Sequence, residues 1–328
     1  MSAHRTMGLA AAVWIAGAGF AWGQGSPAQG SPAQGYPNQT VRIVVPFSAG
    51  SSTDSLARVL SDELTRLWKQ SVVVENRPGI AGTNSVAKSA PGGYTLMLTS
   101  NGHTIGAVVN PNLPFDPAND FTGVTPVASV PQALIVPPNL PAKNLPEWIA
   151  LARAKPGEMN FSSAGLASTS YLGAEILKQT AKINIVHLPQ RGAPEAVTSV
   201  MRGDSQLFFL SVHLATELHV SGKVRAIAIA KDKRTPVLPD VPTVGESGLP
   251  EYQYDSWFGV LAPAGTPKPI LDKVSADIGQ VLRNPELAAR LTKQGVEIQV
   301  ATPDEFDKQL KDEVKRNSAM LRAAGVGK

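Results

Sequence analysis

Residues 41–54 read VRIVVPFSAGSSTD, and their interpretation decides the fold. Val41–Phe47 is a β-branched, apolar run of strand length. Ser55–Trp68 then repeats apolar residues at helical spacing, with Leu56, Val59, Leu60, Leu64 and Leu67 on one face. Ser51 and Asp54, three residues apart at the start of that helix, resemble a capping box. A strand running through small residues into a capped helix is one βα unit, and outward from it the pattern repeats. Ser71–Glu75 reads as a strand, Asn84–Ser89 as a short helix and Tyr94–Thr99 as a third strand. A second series alternates strands at Ala133–Val136, Met159–Ser162, Ile183–Leu188, Gln206–Leu210 and Val224–Ala230 with helices at Leu145–Ala154, Tyr171–Gln179, Ala193–Arg202 and Leu214–Val220. Such alternation predicts an α/β protein with two mostly parallel sheets flanked by helices. After a strand at Trp257–Ala262 the chain turns helical. Helices open at Thr266-Pro267, at Asn284-Pro285 and at Thr302-Pro303, where Thr302 and Glu305 form a second capping box. Lacking a strand series of their own, these helices are expected to pack back on the first domain and make it discontinuous.

Composition excludes whole classes. Of 328 residues, 43% are hydrophobic and 17% charged, which no disordered chain matches. With no cysteine there is no disulfide scaffold, thiolate metal site or thiol nucleophile. A formal charge of +4, with scattered Lys and Arg, does not build a nucleic-acid groove. The apolar run Met7–Ala21, preceded by His4 and Arg5 and followed by small residues, reads as a signal peptide over 1–23, cut near Ala21 or Gly23. It is too short to span a bilayer, and no later run is longer. A tandem GSPAQ, Gly25–Gln29 and Gly30–Gln34, makes 24–35 a flexible tether before the folded part at Tyr36. The mature chain is expected to be soluble and, without a heptad seam, monomeric.

Two loops carry the chemistry. Phe47-Ser48-Ala49-Gly50-Ser51-Ser52-Thr53-Asp54 and Ser162-Ser163-Ala164-Gly165-Leu166-Ala167-Ser168-Thr169 each leave a strand and enter a helix. Both put glycine and hydroxyl residues where a helix start exposes unpaired N–H groups and the positive end of its dipole. Each loop has two readings, a plain helix cap or half of an anion seat. Ligands of open α/β sheets bind at the carboxyl ends of strands, so the two could face one cleft. Ser100, Asn101 and His103 follow the third strand on the same edge, and Pro189-Gln190-Arg191-Gly192 follows another. Arg191 either pairs with a carboxylate or is a solvated turn residue; His103 either donates to a ligand or satisfies its own loop. No nucleophile elbow, phosphate-binding P-loop, dinucleotide fingerprint or zinc-protease motif occurs. His213 and His219 are wrongly spaced for one helix face. No cofactor or metal is called for.

The order VRIVVPFSAGSSTD, VVVENRPGIAG, APGGYTLMLTS, FSSAGLAS, LPDVPTVGESGLP and WFGVLAPAGTPKP resembles the extracytoplasmic solute receptors of tripartite tricarboxylate transporters, the Bug receptors. The likeness runs from about Tyr36 to Val326. It implies a two-lobed, type II-like periplasmic binding protein that closes over a small organic carboxylate and delivers it to the integral membrane subunits of such a transporter. Lobe 1 would comprise 36–128 plus about 256–328 and lobe 2 about 129–255, with hinges near 125–135 and 232–260. The resemblance carries the binding role onto Ser48–Asp54 and Ser163–Thr169, and matches the family's Lys-Gly turn to Arg191-Gly192. Three departures stand out. Ser51 and Ser52 replace frequent glycines, Gly79–Ser89 is about three residues short, and Phe209-Leu210-Ser211 replaces a common Phe-Asp-Asn. Ser211 joins the expected site, and loss of that acid favours a mono- or dicarboxylate without an amino group. Two rival readings differ in class: a secreted α/β hydrolase or isomerase using His103 with Asp54 or Ser100, and a receptor feeding a signalling partner.

Overall fold

The computed structural model describes residues 33–252, 254, 256–323 and 325–326. The expected leader and nearly all of the tether lie outside them. From the described start the chain builds β1 (Val41–Val45), α1 (Ser52–Trp68), β2 (Val72–Asn76), α2 (Ile80–Ala87) and β3 (Thr95–Ser100). A 3-10 turn over Asn101–Ile105 and the short α3 (Gly106–Val109) lead to β4 (Phe121–Ser129). The second series is β5 (Gln132–Val136), α4 (Leu145–Ala154), β6 (Asn160–Ser163), α5 (Thr169–Ala181), β7 (Val186–Pro189), α6 (Ala193–Arg202), β8 (Phe208–Ser211), α7 (Val212–Val220) and β9 (Arg225–Ala230). The chain ends with β10 (Trp257–Pro263), α8 (Lys268–Leu282), α9 (Pro285–Lys293), β11 (Glu297–Ile298) and α10 (Pro303–Ala323).

A six-stranded sheet has the order β11-β4-β10-β3-β1-β2. β1 pairs in parallel with β2 and β3, as βα crossovers require. β10, however, returns from the second series and inserts antiparallel between β3 and β4. In the second series β5 is antiparallel to both β8 and β9, while β6 and β7 are parallel, with a parallel bridge from Phe161 to Leu207. The α/β class stands, but the sheets are mixed rather than mostly parallel. The cause is three strands: β5 and β10, laid down where the chain passes between series, and β11, which runs antiparallel to β4 at the sheet edge.

β4 has no counterpart in the sequence reading. Its FTGVTPVAS carries a proline, which cannot donate to a ladder and ordinarily argues against a strand interior. The ladder accommodates it: Phe258 pairs with Ala128 and Gly259 with Pro126, so the register slips by a residue at the proline. α10 then lies across this pair. A Cβ on Gly259 would stand 2.3 Å from Phe306 Cζ, and one on Gly123 2.6 Å from the Asp307 backbone nitrogen, so two glycines make the groove that α10 fills. Trp257 Nε1 donates to Glu313 Oε2 at 2.8 Å, and Asn317 Nδ2 to Thr104 Oγ1 at 2.8 Å, fixing α10 to β10 and to the 3-10 turn. The apolar core is continuous between the series, since Val45, Phe47 and Phe258 pack in one cluster with Ala193, Phe208 and Leu210. That cluster forms the floor on which the two small-residue loops meet.

Candidate functional site

The first loop is shaped by its helix start. α1 begins at Ser52, three residues before the expected start at Ser55, because Ser51 Oγ accepts from Asp54 N at 3.2 Å. The reciprocal half of a capping box is displaced by one residue, as Asp54 Oδ2 accepts from Gly50 N at 2.9 Å. Asp54 also takes hydrogen bonds from Arg58 Nε at 3.1 Å and Asn76 Nδ2 at 3.0 Å. Burial opposes its charge, yet Arg58, Gly50 and Asn76 together hold its carboxyl below the ordinary value. Asp54 is thus a fully engaged structural anion. Ser51, Ser52 and Thr53 are all buried in that first turn, and the amides of Ser52 and Thr53 have no acceptor within the helix.

The second loop follows the same logic. α5 begins at Thr169, two residues before the apolar pattern, with Ser168 Oγ accepting from Tyr171 N at 3.2 Å and donating to the Gly165 carbonyl at 2.6 Å. Ser170 Oγ accepts from Ala164 N at 3.0 Å, which folds the loop over the helix start. Ser168, Thr169 and Ser170 are buried. In both loops the early helix start is made of polar residues whose position is set by the cap.

These starts converge. A cavity of about 40 Å³ is lined by Ser51, Ser52 and Thr53 of α1, by Ser168, Thr169 and Ser170 of α5, and by Phe47, Ala164, Ser100, Gln132 and Ser211 among others. Gln132 Nε2 donates to Ser211 Oγ at 3.0 Å, closing one wall. Ser100, only 1% exposed, has a buried Oγ with no hydrogen-bond partner among the described residues. Phe47 and Ala164 also line a second, larger cavity of about 580 Å³, bounded by Ser48, His103, Gly165, Ala167 and Arg191, and by Ile80, Leu113, Phe115 and Leu166. The two series touch around these spaces. Ser48 Oγ donates to the Arg191 carbonyl at 3.0 Å, and Thr169 Oγ1 to Asn101 Oδ1 at 3.0 Å. A Cβ on Gly102 would lie 2.4 Å from the Ser168 carbonyl carbon, and one on Gly192 2.4 Å from Ser48 Oγ.

Other expected residues take different places. Ala49 and Gly50 lie exposed on the outside of the first loop. Asn101 braces Thr169 from the far side and lines a groove with Tyr254 and Asn317. Ser163 Oγ is 2.7 Å from His187 Nε2, and burial, helped by the charge of Lys178, pushes that imidazole down to about 4. His103 lines the larger cavity, but its Nε2 is 3.0 Å from the Pro117 carbonyl, so that nitrogen carries the proton and donates. Burial lowers His103 to about 4 against the pull of that carbonyl, leaving it neutral at neutral pH. His103 is therefore no cation for a ligand, and Asp54 and Ser100 do not form a catalytic pair with it. Among the described residues no group of three or more metal-ligating side chains occurs, and no helix is long and apolar enough to cross a membrane. Sequence reasoning missed Gln132, Phe208 and the apolar walls Ile80, Leu113 and Phe115. Gln132 follows the unrecognised β4, and the others read as ordinary core or loop.

Comparison with known proteins gives this geometry a family. The model of the tripartite tricarboxylate transporter family receptor matches residues 56–326. Protein BugT of Bordetella pertussis is 34% identical over 293 residues, covering 87% of this chain and 89% of BugT. Among solved structures, an R. palustris protein with adipate is 31% identical, with a TM-score of 0.83, covering 89% of this chain and 99% of that one. MatC from Rhodopseudomonas palustris with bound malate is 31% identical, with a TM-score of 0.80, covering 87% and 100% respectively. The periplasmic binding protein BugD shares the same two-lobed α/β fold at a TM-score of 0.83. These are solute receptors, not enzymes. With its own two capped helix starts meeting over a buried cavity, the chain belongs to the tripartite tricarboxylate transporter receptor family.

Proposed function

We propose that the protein is exported by its first 23 residues, works in the periplasm as a monomer, and closes two lobes over a small organic carboxylate. Lobe 1 is 36–128 plus about 256–328, lobe 2 about 129–255, with hinges near 125–135 and 232–260. The ligand carboxylate sits between the starts of α1 and α5, accepting from first-turn amides, those of Thr169 and Ser170 among them, and from the hydroxyls of Ser51, Ser52, Thr53 and Ser100, while Ser168 holds the start of α5 in place. The loaded receptor passes its ligand to the integral membrane subunits of the transporter. One observation carries this reading: two helix N-termini from separate series face a single buried cavity in which the Ser100 hydroxyl is unpartnered. Neighbours solved with adipate and malate support a carboxylate.

Magnitudes agree with a receptor. Charge-assisted hydrogen bonds contribute roughly 1.5–3 kcal/mol each, and a helix N-terminus adds about 0.3–1. Four or five donors reach the roughly −8 kcal/mol of a micromolar ligand. Closure follows from differential affinity, because only the closed form lets both helix starts touch one ligand. The test is calorimetry on the mature protein with matched pairs such as succinate and aspartate. Binding of the acid and weaker binding of its amino-bearing partner are expected, since the seat offers donors and Asp54 is already engaged. Tighter binding of aspartate would overturn the preference, and no binding of any carboxylate would overturn the reading itself.

A further inference from the structure

The two cavities differ in chemistry, and their difference specifies a ligand class. The inner one, about 40 Å³, holds only a few water-sized groups. A carboxylate fits there and the remainder of any organic acid does not. That remainder extends past Phe47 and Ala164 into the outer space of about 580 Å³, a volume in the range of sites for drug-sized molecules and generous for a short dicarboxylate chain. The outer walls are apolar: Leu113 and Phe115 precede β4, Ile80 comes from α2 and Leu166 from the second loop. Ile80 and Leu166 are 42% and 41% exposed, although both are large aliphatic side chains. Standing at the same opening from opposite series, they form an unfilled apolar rim.

Charge in this chamber is nearly balanced. Its ionised wall residues are Arg191 and Glu195, four positions apart, with Glu195 Oε2 accepting from the Arg191 backbone N–H at 3.1 Å. His103 is neutral. The donors for an anion are concentrated at the inner end, and the outer end offers mostly hydrocarbon.

Resting on the carboxylate reading above, we propose that the preferred ligand is a monocarboxylate with a bulky apolar body, aromatic or alicyclic. Its head occupies the inner cavity and its body the outer one. A dicarboxylate would instead need Arg191 or the start of α2, which has no capping side chain, for its far end.

Calorimetry with 3-phenylpropionate, cyclohexanecarboxylate and adipate decides the matter. The two apolar acids are expected to bind at least about tenfold more tightly than adipate, with a more negative heat-capacity change from apolar burial. Leu166→Asn, at an exposed position that does not threaten folding, should erase most of that advantage by weakening the apolar acids far more than adipate. Arg191→Gln should leave the preference for the apolar acids over adipate in place. Adipate binding more tightly than both, with the preference lost in Arg191→Gln, would overturn this inference while leaving the carboxylate seat intact. Failure of all three acids to bind would instead remove the seat on which it rests.

Discussion

A buried hydroxyl without a partner costs a protein on the order of 1–3 kcal/mol, and Ser100 carries that cost at the meeting point of two helix starts. Its alanine variant should therefore keep or slightly raise the melting temperature of the ligand-free protein while weakening carboxylate binding. A calorimeter and a thermal scan on the same sample read both. Ser168 and Thr169 separate two roles that sequence left open. Ser168 is a true N-cap, so Ser168→Ala should lower stability by roughly 0.5–2 kcal/mol in urea titration. Thr169 spends its hydroxyl on Asn101 across the gap, so Thr169→Val should cost about 1 kcal/mol of ligand-free stability and also reduce affinity, because that bond ties the two series together over the cavity. Equal affinity in both variants would show that the α5 start holds no ligand.

At the scale of elements, closeness of backbone matters more than side-chain chemistry. The 3-10 turn after β3 lies against the start of α5 at Gly102, where a Cβ would meet Ser168 backbone atoms at 2.4 and 2.6 Å. Backbone cannot swing aside as a side-chain tip can. Gly102→Ala should thus leave folding intact in an open form but reduce affinity by tenfold or more, and small-angle scattering should show the ligand-induced contraction lost. The sequence announced most of these elements, and α4 and α6 match the expected spans residue for residue. Its failures share a physical cause. α1 and α5 begin earlier than their apolar periodicity, because polar first turns held by Ser51 and Ser168 follow capping geometry and not hydrophobic spacing. β4 was hidden by Pro126, whose missing donor is absorbed by a register slip visible only once β10 is paired. At the site, both glycine and hydroxyl loops were legible from local spacing. Gln132 and the apolar chamber were not, since they arise from segments far apart in the chain.

At the scale of the whole molecule, His103, His187 and His213 are three histidines among the described residues that are held neutral. Burial pushes His103, His187 and His213 each down to about 4 from an ordinary 6.5. Between those values the unfolded chain binds protons that the folded chain refuses, so stability is complete above about pH 6.5 and falls as pH drops toward 4. For the fully buried His103 the loss is on the order of 3 kcal/mol over that interval. Urea midpoints measured from pH 7.5 to 4.5 should decline accordingly. The slope should flatten in His103→Gln, whose amide can still donate to the Pro117 carbonyl.

α10 stands far along the chain from the loops whose scaffold it supports. Asn317 of α10 donates to Thr104, three residues after Asn101 in the same 3-10 turn. Phe306 of the same helix fills the groove over Gly259, within β10, the strand that pairs with β3. The inner cavity draws its lining from Phe47 through Phe258, all of it earlier in the chain than the helix that props it. A chain cut before α10 would keep the residues that line the cavity and lose the helix that holds their scaffold in place.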